Sequence, residues 1–299
     1  MIDVRRSGPL CTVQDLGRPG LGHLGVGRSG GADRRSLRLA NRLVGNPDGA
    51  ACLEITLGGF AARFEVAAVV ALTGAPCTVR VSGRGAEPPG PLSLPAGAEL
   101  RLGTPASGVR SYLAVRGGID VPPVLGSRST DVLAGLGPEV VRPGARLPVG
   151  RYLAGPPRSD PGPVSAIPAI PAIPAEIVLA AWAGPRDDWF TPAALAALGT
   201  RAYAVTPASN RVGLRLSGPP LDRAGPGELP PEGMVDGALQ VPPDGQPVLL
   251  LADHPVTGGY PVIAVVADDD LWLAAQARPG QRVRFQVRSA DPARLRARG

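Results

Sequence analysis

Two segments concentrate groups that bind or move charge between closely spaced glycines. Residues 11–33 hold Gln14, Asp15, Arg18, His23, Arg28, Ser29 and Asp33. Residues 240–261 hold Gln240, Asp244, Gln246, Asp253, His254, Thr257 and Tyr260, with Gly258 and Gly259 between the last two. Glycines there let backbone N–H groups approach a small carbonyl or carboxylate closely. His23 and His254, the only histidines, titrate near neutral pH and suit proton transfer. Turn chemistry gives the same composition, because loops in general favour Gly, Asp and Pro. Composition therefore leaves a site and an ordinary loop both open.

Three short patterns compete for these residues. Gly20, Gly22 and Gly25 have the spacing of a dinucleotide loop, but the physics requires a strand before it and a helix opening on the third glycine. Arg18 and Pro19 precede it instead, and the next helix signal waits until Asp33, so the stretch reads as a turn-rich loop. Gly27, Ser29 and Gly31 match the elbow of a serine nucleophile. A helix follows, but the approach is glycine-rich rather than a strand, and the chain lacks repeated strand-helix alternation. A hydrolase using Asp253 and His254 stays open as the lesser alternative. Two histidines without clustered carboxylates argue against catalytic zinc.

The elements that must position these groups are short. Gly 41 and Pro 36 without a collagen-like period predict many strands and turns rather than long helices. Strands are expected at 51–57, 62–66, 69–72, 78–81 and 109–115, and then at 177–182, 202–205, 212–216, 248–251, 262–266 and 282–287. Asp33 caps one helix, with Leu37, Ala40, Leu43 and Val44 on its buried side and Gly45, Asn46 and Pro47 ending it. Further helices are expected at 192–198 and 268–277. Ala-Ile-Pro repeats starting at Ala166, Ala169 and Ala172 favour an extended connector. The expected organisation is an N-terminal β-barrel-like domain at 1–155, a Pro-rich connector at 156–175 and a C-terminal β-barrel-like domain at 176–299. Arg142-Pro143-Gly144 and Arg278-Pro279-Gly280 echo each other, each a tight turn feeding a strand.

Charge and composition narrow the function classes. The formal net charge is +6, yet the arginines are scattered and aromatics make up only 4%, which weakens a nucleic-acid reading. The sequence contains no lysine. No side-chain Schiff base, P-loop lysine or biotinylated lysine can come from these residues, so a partner must supply any such group, which points to one member of a multi-subunit enzyme. Cys11, Cys52 and Cys77 form no C-x-x-C pair and sit among apolar neighbours, as buried reduced thiols do. No apolar stretch reaches the roughly 20 residues that span a bilayer, and a cytoplasmic protein is expected.

In these same segments a family resemblance appears. TVQDLGRPG, HLGV, LANRLVGNPDGAACLEITLGG and ALTGA, followed by SYLAVRGGIDVPPVLGSRST, GPRDDWFT, QVPPDGQPVLLLAD and TGGYPVIA, resemble in order the blocks of the C subunit of 5-oxoprolinase, within the wider biotin-dependent carboxyltransferase family. That resemblance runs from about Val4 to Phe285. It implies a mainly β fold with a few short helices, arranged as two cyclophilin-like β-barrel domains. It also implies ATP-dependent opening of 5-oxoproline to glutamate, shared with the A and B subunits. Two alternatives come with the family: biotin-dependent carboxyl transfer to urea or a similar amide, with biotin carried by a partner, and regulatory binding that antagonises a kinase inhibitor resembling the B subunit. The matching blocks nominate Asp15, Arg18, Asp253 and His254 as catalytic groups. They nominate Gln14, His23, Ser29, Asp33, Arg128, Thr257, Gly258, Gly259 and Tyr260 as substrate-binding groups, with Arg18 or Arg128 as a clamp on a carboxylate or phosphate. Where many relatives have arginine after Asp253, this chain has His254.

Overall fold

The structure, a computed structural model, describes residues 1–86, 90–157, 176–225, 227 and 229–288. The Ala-Ile-Pro repeats lie outside the described residues. The fold is mainly β with a few short helices, and the chain forms two compact units. Residues 22–27 count with the second unit although the chain on either side of them belongs to the first.

The first unit is built from two large antiparallel sheets and a two-stranded one that pairs Gly117–Ile119 with Val149–Tyr152. In the six-stranded one, Ile2–Ser7 lies between Arg146–Leu147 and Phe60–Phe64, and Glu99–Leu102, Val79–Val81 and Arg84–Ala86 continue the order. The five-stranded one runs Leu10–Gln14, Cys52–Thr56, Arg110–Val115, Ala68–Gly74 and Leu92–Leu94. Alternation places Phe60, Ala62 and Phe64 inward and Arg63 outward, as period-two side chains require. Their inner faces enclose Ile2, Val4, Leu53, Ile55, Leu100 and Leu113, each worth about 1.5–3 kcal/mol of burial.

The helix Arg34–Leu43 covers the other face of the five-stranded sheet. Leu37, Ala40 and Leu43 pack there with Ala71, Tyr112 and Ala114. A sheet covered on both faces explains why all six residues of Arg110–Val115 are buried and why that strand reads as an unbroken run. Asp33 caps the helix, accepting hydrogen bonds from Ser36 N at 2.9 Å and Ser36 Oγ at 2.6 Å.

The second unit is a closed seven-stranded barrel, in the order Glu176–Ala183, Val262–Val266, Ala238–Gln240, Val248–Leu250, Gly213–Ser217, Ala202–Val205 and Arg282–Arg288. A parallel pairing of Glu176–Ala183 with Arg282–Arg288 closes it. Tyr203 and Phe285 meet inside with ring centroids 6.3 Å apart. Thr191 caps the helix Pro192–Thr200, whose first position is proline. The acidic run Asp268–Asp270 forms a 3-10 turn before the helix Leu271–Ala275, so the single helix expected at 268–277 is shorter and starts later.

The Arg-Pro-Gly echo is a shared turn. In the first unit Gly144 N donates to Val4 O at 2.7 Å, Val4 N to Ala145 O at 2.9 Å and Ala145 N to Arg142 O at 3.0 Å. In the second, Gly280 N donates to Val205 O at 2.8 Å, Val205 N to Gln281 O at 2.9 Å and Gln281 N to Arg278 O at 3.0 Å. Gly144 and Gly280 have φ of +89° and +84°, a conformation that glycine adopts at least cost.

Asp33→Ala is expected to lower the unfolding free energy by about 1 kcal/mol, and Asp33→Ser by less, because serine keeps an oxygen for the cap. Urea denaturation monitored by circular dichroism measures this, and equal losses for the two variants would contradict the capping role.

Candidate functional site

In the first unit the candidate groups gather where the strand Leu10–Gln14 runs out into a loop. Gly17 has φ +82°, and a Cβ there would lie 2.5 Å from Arg28 O and 2.6 Å from Ser29 O, so the 15–18 and 28–31 loops press backbone to backbone. Arg18 N donates to Arg28 O at 2.8 Å and Gly31 N to Asp15 O at 2.9 Å. A third loop arrives at the Asp15 carboxylate. Oδ1 accepts from Gly17 N at 2.8 Å and from the hydroxyls of Ser127 and Ser129, both at 2.6 Å. Oδ2 accepts from Arg128 N at 2.6 Å. Both oxygens are thus engaged, and the carboxylate ties the 127–129 loop to the end of the strand.

Arg18 is buried beside this knot, 2% exposed. Its Nη2 donates to Ser129 O at 2.6 Å and its Nε to Val124 O at 3.4 Å, while Nη1 has no hydrogen-bond partner among the described residues. Nor does it form an ion pair among them. A buried guanidinium without an anion carries a desolvation cost of several kcal/mol. Gln14 donates Nε2 to Thr130 O at 2.8 Å and to Thr12 Oγ1 at 3.0 Å, leaving Oε1 without a partner, and Thr130 Oγ1 is likewise unpartnered. Arg18 Nη1, Gln14 Oε1 and Thr130 Oγ1 are therefore unmatched among the described residues: an anion would match the guanidinium and the hydroxyl, which donate, and a water or an N–H the Gln14 oxygen, which accepts.

The other candidates of this unit are spent differently. Ser29 is fully buried at φ +53° and donates to Thr130 O at 3.3 Å. Asp33 caps the helix, and its N–H donates to Tyr112 Oη at 2.7 Å. Tyr112 donates in turn to Glu54 Oε2 at 2.7 Å, and Arg110 Nε lies 3.4 Å from Glu54 Oε1. Burial pushes the Tyr112 hydroxyl well up, and the Glu54 and Asp33 charges push the same way. Arg128 reaches the knot only through its backbone. Its guanidinium donates to Val121 O at 2.7 Å, Asp120 Oδ1 at 3.2 Å and Tyr152 Oη at 2.6 Å, and lies 5.0 Å from the Tyr152 ring centroid.

In the second unit Asp253 and Arg211 form a buried two-pronged pair, Nε to Oδ2 and Nη2 to Oδ1, both at 2.8 Å, with side chains 1% exposed for Arg211 and 0% for Asp253. His254 follows on the same loop. Its Nδ1 lies 2.7 Å from Pro255 O and its Nε2 lies 3.3 Å from Asp236 Oδ1. Two acceptors facing two ring nitrogens favour the doubly protonated ring. Burial opposes the charge, but the Asp236 carboxylate, the Pro255 carbonyl and the Asp253 charge outweigh it, and the pKa lies above the ordinary 6.5.

Thr257–Gly258 pairs with Glu232–Gly233. Gly258 packs against the Gln240 amide, where a Cβ would stand 2.5 Å from Nε2 and the Gln240 side chain would have to shift. Gln240 Nε2 donates to Met234 Sδ at 3.0 Å and to Tyr260 O at 3.3 Å. Gly259 and the Tyr260 ring are exposed. His23, also exposed, sits in the 3-10 turn Gly22–Leu24, and a Cβ on Gly22 would come within 3.9 Å of Val256 Cγ1. The two glycine-rich segments thus meet inside the second unit, at residues 22–27.

The structure joins Gln14, Asp15, Arg18, Ser29 and the Arg128 backbone in one cluster, and Asp253, His254 and Thr257 to Tyr260 in another. Sequence reasoning passed over Arg211 and Asp236. Asp236-Gly237 before a strand is a turn signal that places a carboxylate at a strand mouth, whereas nothing set Arg211 apart from the other arginines. Gly20, Gly22 and Gly25 form turns and a 3-10 helix, without the strand and helix that a dinucleotide loop needs. Ser29 has no histidine within its own unit. Among the described residues no cluster of three His, Cys, Asp or Glu could hold a metal ion, and no helix is long and apolar enough to cross a membrane.

Residues 24–287 match the family model for the carboxyltransferase domain, subdomain A and B. The chain is 38% identical to the C subunit of 5-oxoprolinase from Escherichia coli, over 100% of this chain and 94% of that protein. It is 35% identical to urea amidolyase of Lachancea kluyveri, covering 98% of this chain but 17% of that much longer protein. The crystal structure of K. lactis urea amidolyase superposes with a TM-score of 0.88 at 30% identity, over 95% of this chain and 18% of that one.

Two outcomes test the second cluster. Arg211→Leu strands the Asp253 carboxylate in the interior and is expected to cost about 3–5 kcal/mol in chemical denaturation; a loss below about 1 kcal/mol would refute the buried pair. For His254, a pKa raised in the folded state means that its contribution is complete below the unfolded value of about 6.5 and drains as pH rises through the folded value. An NMR titration of the ring is expected to give a pKa above 6.5, falling in Asp236→Asn. An unshifted variant would remove Asp236 from the account.

Proposed function

Because the chain belongs to the family of the carboxyltransferase domain, subdomain A and B, we propose that it works as the C-type subunit of an ATP-dependent 5-oxoprolinase. In this reading it opens 5-oxoproline to glutamate in the cytoplasm, together with homologues of the A and B subunits. One observation carries the choice within the family: the identity to a 5-oxoprolinase C subunit runs the length of both chains, whereas urea amidolyase contains the matching region as a small fraction.

The chemical task is to make a lactam carbonyl electrophilic, hold the carboxylate of the substrate and supply a proton to the departing nitrogen. ATP supplies activation of the carbonyl oxygen. Arg18 fits an anion, whether carboxylate or phosphate, because it is buried, cationic, fixed by two carbonyls and left with an unmatched Nη1. Gln14 offers an unmatched acceptor, Oε1, suited to an N–H such as that of the lactam. Asp15 acts on this group as a positioning residue, since its contacts fix the loop that supplies the Ser129 carbonyl to Arg18. In the second unit Asp253 holds Arg211, and the His254 ring, with the Asp236 carboxylate and the Pro255 carbonyl against its nitrogens, is placed for proton transfer. The Thr257 to Tyr260 turn and His23 offer exposed groups to a ligand. Ser29, Asp33 and Arg128 serve in this reading by shaping the loops rather than by touching substrate.

A carboxyltransferase reading is supported by the likeness to urea amidolyase, 35% identical over 98% of this chain. In that reading the same loops would hold a carboxylated biotin borne by a partner protein.

The test is glutamate release from 5-oxoproline and ATP by this chain mixed with its A and B homologues, each omitted in turn. Turnover is expected only from the full mixture; turnover without this chain, or from this chain alone, would overturn the proposed role. Within the active mixture Arg18→Gln is expected to reduce kcat/KM by about 10- to 100-fold, the loss of one charged hydrogen bond, with melting followed in parallel. Urea-dependent turnover with a biotinylated partner, and none with 5-oxoproline, would establish the second reading instead.

A further inference from the structure

The outer face of the six-stranded sheet carries charge that the first unit itself does not neutralise. Strand register places Arg6 opposite Ala61, Ala61 opposite Arg101 and Arg101 opposite Arg80. Leu100 and Leu102 beside Arg101, Val79 beside Arg80, and Phe60 and Ala62 beside Ala61 point into the core, and the bulge between Val4 and Arg6 brings Arg6 into the row opposite Ala61, so the three arginines share the outward side. Three strand spacings make the row about 14 Å long. Its side chains rise around a hollow of about 280 Å³, with Ala61 in its floor and Thr78 and Thr104 in its wall.

Arg101 is partly offset by Glu99, whose Oε1 lies 2.7 Å from its Nε. Arg6 and Arg80 make no ion pair or hydrogen bond among the described residues. Like charges directly opposite on neighbouring strands destabilise a sheet, so the Arg101–Arg80 pairing works against folding and is relieved only in part by Glu99. Ala61 is 3% exposed, since the arginine stems cover it while their heads stay in water.

We propose that this row docks an acidic surface of a companion protein, resting on the reading of this chain as one member of an assembly. A small phosphorylated molecule fits less well, because small-ligand sites enclose most of the ligand in apolar walls and the Arg101 side chain here is 62% exposed. A nucleic acid would find no exposed ring to stack on, as Phe60 in the hollow is 1% exposed. Exposed arginine forks suit the rim of a protein interface, where complementary charge accelerates encounter and selects the partner. The overall charge of +6 acts in the same direction at long range.

The experiment measures association of this full chain with the purified homologue of the 5-oxoprolinase B subunit from the same organism, comparing wild type with an Arg6→Gln, Arg80→Gln, Arg101→Gln variant. At low salt the association rate of the variant is expected to fall about tenfold, with a smaller change in dissociation. The wild-type rate is expected to drop steeply as salt is raised and the variant rate only slightly. The melting temperature of the variant is expected to equal or exceed that of wild type, since it relieves like-charge repulsion. Wild-type association that the variant matches in rate and salt dependence would overturn the docking surface and leave the proposed function intact. No association by wild type would overturn both. Binding to a duplex DNA oligonucleotide that the variant loses, with companion binding unchanged, would reassign the row to nucleic acid and overturn the proposal.

Discussion

The Asp15 carboxylate connects segments 112 to 114 residues apart in sequence. Two serine hydroxyls and two backbone N–H groups converge on it, which is the condition for keeping such a group nine-tenths buried. The geometry of the first cluster depends on this one connection. Ser129 Oγ both donates to Asp15 and accepts from the Asp15 N–H, and the Ser129 carbonyl holds Arg18. Gly137 approaches the same carbonyl so closely that a Cβ would lie 2.0 Å from it. Displacing the carboxylate would therefore displace the guanidinium too.

The second unit uses a buried aspartate differently. Asp253 is held by a two-pronged guanidinium from Arg211, and the pair spans 42 residues. Buried ion pairs of this kind bring little net stability over apolar packing, because desolvation cancels most of the attraction. What the pair does supply is a fixed loop: Asp253 N donates to Arg211 O and His254 N to Leu251 O, so His254 leaves the barrel at a set angle. The contrast with Arg18 is informative. Arg211 has its anion inside the fold, whereas Arg18 is held by carbonyls that orient it without neutralising it. A cation oriented in this way keeps one donor, Nη1, unmatched among the described residues.

How much of this could be read from sequence followed from what each signal reports. The helix Arg34–Leu43 was legible because its cap, its apolar stripe and its Gly-Asn-Pro stop are all local. Ala202–Val205 and Val262–Val266 were legible to the residue as short apolar runs. Ile2–Ser7 was not, because its outward face carries Asp3, Arg5 and Arg6 and a bulge between Val4 and Arg6 breaks the alternation. Tertiary contact is also what decided the site. Arg128 was legible as a chemical group, but its contribution to Asp15 comes from a backbone N–H, which every residue except proline possesses. Arg211 is one of 31 arginines, and only the fold places it against Asp253. The resemblance nominated residues on these loops without distinguishing those with unmatched polar atoms from those that hold the loops together.

The Arg-Pro-Gly turns set a limit on how far internal similarity can be taken. Their three hydrogen bonds agree to within 0.1 Å between the units, and each turn feeds a strand antiparallel to the one it clamps. Yet the clamped strands occupy different places in their units. Val4 lies in the opening strand of the first, while Val205 follows both Glu176–Ala183 and the helix Pro192–Thr200. A simple tandem duplication would have kept the order of the strands around the turn. What recurs is a local solution to one problem: a rigid proline and a left-handed glycine bring a returning chain onto a strand and satisfy its backbone on arrival. The likeness is one of construction at the turn, and the different surroundings of Asp15 and Asp253 fit two units that meet a common architectural need with different polar interiors.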